Sequence, residues 1–200
     1  MITMKNIIRE GHPTLTKKAI PVAFPVEQKI KDTLKEMRQF LINSQSEETR
    51  EKYELREGVG LAAPQIDLSL RMLAIYTEDE TFENHHDYMM INPKIISHSA
   101  KETYIPGGEG CLSVDREVSG LVRRYQKVTV KTHLLDPDTD ELIETTLRLR
   151  NFLAIVFQHE LDHLNGVMFF TKVEPTLEGL TPIEFKLDEM KNENNKEETS

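Results

Sequence analysis

The run Asn151 to Gly166, NFLAIVFQHELDHLNG, constrains this chain more than any other. No proline interrupts it. Asn151 is a residue type that caps a helix start and Gly166 one that ends a helix, so one helix is expected between them. Within it stand His159, Glu160 and His163, the pattern H-E-x-x-H. A spacing of four puts both imidazoles on one face, one turn apart, within reach of a single metal ion. Glu160 follows the first ligand and can reach a water on that ion. Phe152, Ile155 and Val156 form the face before the histidines, while Leu153, Phe157, Leu161 and Leu164 lie elsewhere around the axis. A helix apolar on most sides is buried. The run therefore predicts a core helix that also carries a metal site for hydrolysis.

The surrounding chain is that of a soluble globular protein, 200 residues long with 38% hydrophobic and 30% charged residues. A single catalytic domain is expected over 1–185, followed by a polar, disordered tail over 186–200. The net charge of -9 argues against nucleic-acid recognition. No run is long and apolar enough for a membrane span, and MITMKNIIREGH lacks the apolar core of a signal peptide, so a cytoplasmic location is expected. The basic groups Arg123, Arg124, Lys127 and Lys131 read as solvated strand faces.

Residues 1–24 are broken by Gly11, Pro13 and Pro21 into an irregular arm lying across the domain. From about Pro25 to Ser44, Ile30, Leu34, Met37 and Leu41 recur at helical spacing and predict an amphipathic helix. Residues 45–57 are charged and predict an exposed connection with some helical character. In GVGLAAPQ, the glycines flanking Val59 suggest an extended segment closely approached by another backbone. RMLAIY, at 71–76, and YMMINPKIIS, at 88–97, read as strands, and EDETFENHHD between them as an acidic loop holding His85 and His86. Glycines on both sides of Glu109 expose the backbone at 107–110, where an extended ligand could pair as an added strand. RYQKVTVKTHL and LIETTLRL alternate and, around DPDTD, predict a β-hairpin leading into the histidine helix.

A catalytic metal site needs a third protein ligand. Downstream, Glu178 or Glu184 would suit a zinc endopeptidase. Upstream, Cys111 is the one cysteine, and a thiolate is a strong ligand in so exposed a backbone. Cysteine with two histidines would accept iron, zinc, nickel or cobalt.

Three blocks carry a resemblance to a known family. GVGLAAPQ at 58–65, EGCLS at 109–113 and QHELDHLNG at 158–166, in that order, resemble the motifs of the peptide deformylases. IIREGHPTL, INPK and CLSVDREV look similar too, so the likeness spans roughly 5–170. The added residues before GVGLAAPQ and INPK resemble the longer class found in many Gram-positive bacteria. A proline common in the family after CLSVDREV is absent here, which bears on a local turn.

The resemblance implies an α+β fold, with antiparallel sheets around one buried central helix that bears the metal site. It implies removal of the N-formyl group from the starting methionine of nascent peptides. Cys111, His159 and His163 would hold one divalent ion, Fe2+ by family habit, with Zn2+, Ni2+ or Co2+ able to substitute, and water would fill the fourth position. Glu160 would be general base and acid. Gln65 and the backbone N–H of Leu112 would stabilise the oxyanion. Val59, Phe152, Ile155 and Val156 would line a methionine pocket, with the peptide backbone between Val59-Gly60 and Gly107-Gly108-Glu109. The expected partners are formyl-methionyl nascent peptides and the ribosome near its exit tunnel. A catalytically silent homologue that only binds nascent chains is the alternative of another class.

Overall fold

Alternation along one strand builds the body of the molecule. The structure, a computed structural model, describes residues 1–186. In β2 (Met72–Glu78), Met72 and Ala74 face one core while Leu73 and Ile75 face another. Successive side chains on a strand point to opposite faces, so a strand buried on both sides must be apolar at consecutive positions. Such a strand can only sit between two layers.

Beside it lie β1 (Gly60–Ala62), β3 (His85–His98), β7 (Lys127–Leu135) and β8 (Leu142–Arg150), in the order β1-β2-β3-β7-β8, every neighbour antiparallel. On one face packs α1 (Gln28–Gln45) through Leu34, Met37, Phe40 and Leu41. On the other packs α3 (Asn151–Leu164) through Leu153, Phe157, Leu161 and Leu164, against Val128, Val130 and Leu149 of the hairpin. Two short antiparallel pairs complete the strands among the described residues. They are β4 (Glu102–Thr103) with β6 (Arg124–Tyr125), and β5 (Leu121–Val122) with β9 (Val173–Glu174). A short helix α2 (Glu47–Lys52) follows α1 and buries no residue. The fold is mixed α and β with antiparallel sheets. No described helix is long and apolar enough to cross a membrane.

Three local expectations are corrected. Asn151 is not the cap of α3: its φ is +50°, Arg150 takes the cap position with extended backbone, and the Asn151 amide donates to the Glu80 carboxylate. Glu80 also accepts from the Phe152 N–H at 3.4 Å. A carboxylate from the β2–β3 connection thus meets the positive end of the helix. His85 and His86 are not loop residues, for they pair with Glu78 and Thr77 in the β2–β3 ladder. The amphipathic helix starts at Gln28 rather than Pro25. Of the expected polar tail, residues 187–200 lie outside the described residues.

The N-terminal arm is irregular and runs across the domain. Its N–H groups donate to the carbonyls of Gln65 (from Ile8, 2.8 Å), Ser113 (from Glu10, 2.8 Å) and Leu164 (from Ala19, 2.9 Å). Gly166, with φ +71°, turns the chain after α3 directly over this arm, where a Cβ would fall 2.8 Å from the backbone of Thr16 and Lys17.

Candidate metal centre and cleft

Two helix residues and one turn residue converge. His159 and His163 lie one turn apart on α3, their rings edge-on with centroids 5.1 Å apart. Cys111 comes from the turn after Gly110, and its Sγ lies 3.3 Å from His163 Nε2. The three donor atoms lie within 4.8 Å of one another, and all three residues are buried. A tetrahedral ion with ordinary sulfur and imidazole bond lengths would set sulfur and nitrogen about 3.6 Å apart. The geometry and the donor types therefore fit a first-row divalent ion.

The turn is clamped from behind. The Arg56 guanidinium donates to the carbonyls of Cys111 (3.2 Å), Leu112 (3.4 Å) and Val114 (3.3 Å), and to the Asp115 carboxylate at 2.8 Å. Gln65, 1% exposed, lies alongside. Its Oε1 accepts from the Ala62 N–H at 2.8 Å, and its Nε2 points at Cys111 Sγ (3.6 Å) and Ser113 Oγ (3.4 Å). The Leu112 N–H makes no hydrogen bond within the described residues.

A buried chain of charges fixes one imidazole. His159 Nδ1 lies 2.8 Å from Glu109 Oε2, which leaves Nε2 for the centre. Arg124 grips Glu109 with Nε and Nη2, both at 2.8 Å, and reaches Asp162 Oδ2 with Nη1 at 2.5 Å. Lys172 closes the line on Asp162 at 2.9 Å. Burial pushes the Glu109 carboxyl up, but the hydrogen bonds from Arg124 and His159 outweigh it and hold the group at about 2. Burial disfavours the charged form of both histidines. It carries His163 well below its ordinary range, whereas hydrogen bonds to Cys111 and Glu109 raise His159. Arg124 was expected on a solvated strand face, but its side chain is 1% exposed. The Glu109 carboxylate is committed inward, to Arg124 and His159.

Glu160 is buried, and burial raises its carboxyl to about 7. Its Oε2 has no hydrogen-bond partner among the described residues. Gly60 explains how it fits: a Cβ there would lie 2.8 Å from Glu160 Cγ and overlap the carboxylate. The close approach expected at this glycine is thus by a side chain rather than another backbone.

Cys111, His159, Glu160, Gln65 and Glu109 open on one cleft of about 310 Å³. Val59, Gly60, Gly108, Glu109, Phe152, Ile155 and Val156 all border it, together with Gln65, Cys111, Leu112, His159 and Glu160. Ile105 and Arg56 border it too, and sequence reasoning missed both. Asp162 and Glu80 were also missed, although Asp162 lies inside the H-E-x-x-H run. The downstream ligand is not there: Glu178 and Glu184 are exposed, and Glu184 borders a separate surface cavity with Lys101 and Gln126.

Comparison with known proteins decides the family. The polypeptide deformylase model matches residues 4–178. The chain belongs to the polypeptide deformylase family. It is 53% identical to the peptide deformylase of Staphylococcus epidermidis over 87% of this chain and 92% of that one. It matches that of Halalkalibacterium halodurans at the same identity and coverage. Among solved structures it superposes on the Thermotoga maritima peptide deformylase with a TM-score of 0.62 and 32% identity, covering 84% of this chain and 97% of the other. A class I type b peptide deformylase from Acinetobacter baumannii with Met-Ala-Ser bound superposes with the same TM-score and 29% identity, covering 84% and 96%. Membership makes this chain an enzyme of metal-dependent deformylation and leaves the endopeptidase and the silent homologue without support.

Proposed function

We propose that this protein hydrolyses the N-formyl group of formyl-methionyl nascent peptides, releasing formate and a free amino terminus. The observation that carries the reading is the buried meeting of the Cys111 sulfur with two imidazoles of α3, beside an unpartnered Glu160 carboxylate in an apolar cleft. Cys111, His159 and His163 would hold one divalent ion, Fe2+ in our reading. When bound, that ion supplies Lewis-acid polarisation of the formyl carbonyl and acidifies water in the cleft.

The protein's own groups do the rest. Glu160 takes a proton from the attacking water and returns it to the departing amine. Its burial raises its proton affinity, which suits both halves of that task. Gln65 Nε2 and the Leu112 N–H donate to the oxygen on which negative charge develops. The Glu109 carboxylate keeps His159 in the tautomer that offers Nε2. Val59, Phe152, Ile155 and Val156 receive the methionine side chain. Because β1 is the edge strand of its sheet, its outer side, at Val59 and Gly60, is free to pair with a peptide whose other flank runs along Gly108 and Glu109. Met-Ala-Ser bound to the Acinetobacter baumannii relative supports a peptide of this kind.

In this reading one catalytic domain, 1–185, is built around the central helix α3 and its H-E-x-x-H pair. It works in the cytoplasm on chains emerging from the ribosome.

The test is anaerobic purification, metal analysis and formate release from formyl-Met-Ala-Ser. One metal per chain and release of formate are expected. Cleavage of internal peptide bonds, or no formate after loading with ferrous, nickel or zinc ions, would overturn the reading.

A further inference from the structure

The main sheet has a second edge. β8 closes it on the side away from β1 and, at nine residues against three, is the longer edge strand. Its backbone is half committed. The Asp136 N–H donates to the Glu141 carbonyl and the Asn151 N–H to the Gln126 carbonyl. Hydrogen-bonded pairs alternate along an antiparallel ladder, so Ile143, Thr145, Leu147 and Leu149 turn their backbone groups to β7. Those of Leu142, Glu144, Thr146, Arg148 and Arg150 point out of the sheet and make no hydrogen bond among the described residues.

Bare edges of this length invite pairing, and proteins blunt them with proline, a bulge or repelling charges. β8 holds no proline and pairs with β7 in unbroken register. Its charges are ordered along its length: Glu141 and Glu144 at the start, Arg148 and Arg150 at the end. Glu144 is paired with Lys131 at 2.8 Å, at the protein surface. The side chains of Arg148 and Arg150 have no hydrogen bond or ion pair among the described residues. Both border an open cavity of about 680 Å³ shared with His86 and the β2–β3 connection, which leaves room beside the end of the strand. Ile143 stands 54% exposed at its other end.

We propose that β8 pairs with β8 of a second copy of this chain, antiparallel about a two-fold axis at Thr146, so that two sheets become one. A strand that is acidic at its start and basic at its end matches itself only when reversed, which is what a two-fold axis does. Centred on Thr146, all nine residues find an opposite. Glu144 faces the partner's Arg148, and Arg148 faces the partner's Glu144. On the other face Ile143 meets the partner's Leu149, and Thr145 the partner's Leu147. Opposite charges and apolar groups placed directly across two strands stabilise a sheet. Centring on Glu144 or on Arg148 would instead set like charges face to face.

The two arginines alone would suit any anion. The matching Glu144, the exposed Ile143 and the free backbone between them select a copy of the strand. β1 lies at the opposite edge of the sheet, about 19 Å away at the usual strand spacing. Both clefts therefore stay open in the pair, and the inference stands apart from the function proposed above.

Sedimentation of the metal-loaded protein between about 1 and 500 µM tests this. Monomer should give way to dimer with a Kd on the order of 10 µM, as suits a small interface. Glu144→Arg and Arg148→Glu should each raise that Kd about tenfold, and the two together should restore it. Thr146→Pro removes an outward N–H, which an edge strand tolerates, and should leave only monomer. Thr146→Cys should give a disulfide-linked dimer on mild oxidation, because hydrogen-bonded pairs have Cα atoms about 5.5 Å apart, whereas Ile143→Cys should not. Wild-type protein that stays monomeric throughout overturns the inference. So does a dimer that survives Thr146→Pro, or one whose Kd ignores both charge reversals, since the contact would then lie elsewhere. Should circular dichroism show Thr146→Pro unfolded, the charge reversals and their combination decide alone.

Discussion

Glu109 lies between the Arg124 guanidinium and the His159 ring, and these partners hold its carboxyl at about 2, against 4.5 when unperturbed. A carboxyl depressed in the folded state stabilises the fold above its unfolded value and loses that contribution as pH falls through its folded value. The window here runs from about pH 4.5 down to about 2. The contribution is about 3 kcal/mol by the conversion of pKa difference to free energy. Urea unfolding of chelator-treated protein across this range should show the loss, and Glu109→Gln should flatten it. An unchanged pH slope in the variant would show that another carboxyl governs acid stability. Glu160 behaves oppositely, since burial raises it to about 7. It works as a base when ionised, so kcat/KM should rise with pH along an acidic limb, and a neighbouring divalent cation moves that limb below 7. Glu160→Gln should lower kcat by about 10²–10⁴-fold while metal content stays at the wild-type level. A variant with full activity would remove this residue from the mechanism.

At the scale of elements, α3 is anchored at both ends by groups far away in sequence. Glu80 serves its N-terminus, and the arm under Gly166 serves its C-terminus. Glu80→Ala should destabilise the protein by about 1 kcal/mol, the usual worth of a helix-end partner. Gly166→Ala should cost more than that, because φ is +71° and the new Cβ meets arm backbone. Thermal unfolding of both variants measures the order, and equal stability of Gly166→Ala and wild type would refute the close contact. The helix and the β7–β8 hairpin were legible in the sequence because their side-chain periods are local. The helix cap was not, because the carboxylate serving the Phe152 N–H lies 72 residues away from it. Arg124 was misread for a related reason. An arginine in an alternating strand looks solvated, and nothing nearby announces Glu109 or Asp162 as partners. From the residues alone the three metal donors were legible as types, a helical pair and a lone cysteine, and the family resemblance named them as one set. What joins them is the packing of separate segments.

For the molecule as a whole, the two cores differ in their dependence on the centre. The α1 layer and its face of the sheet contain none of the three donors, whereas α3 carries two of them. Metal removal should therefore lower the midpoint of thermal unfolding without collapsing the fold, since an ion that binds only the native state stabilises by mass action. Calorimetry with and without chelator, with far-ultraviolet dichroism, checks this, and unfolding on chelation would contradict it. Cys111→Ala should give the same lowered midpoint with no further response to chelator.

The arm that touches Gln65, Ser113 and Leu164 is synthesised before all three of these partners, and the last of them lies more than 140 residues later. Its docking is thus among the longest loop closures in the molecule, and such closures come late because their entropy cost is met before their contacts form. A growing chain presents Cys111 well before His159 and His163 exist, and presents the arm before any of its three acceptors is in place. Completion of the centre thereby waits until synthesis has passed residue 164, so that a half-made chain has neither the ligand set nor the brace that holds it.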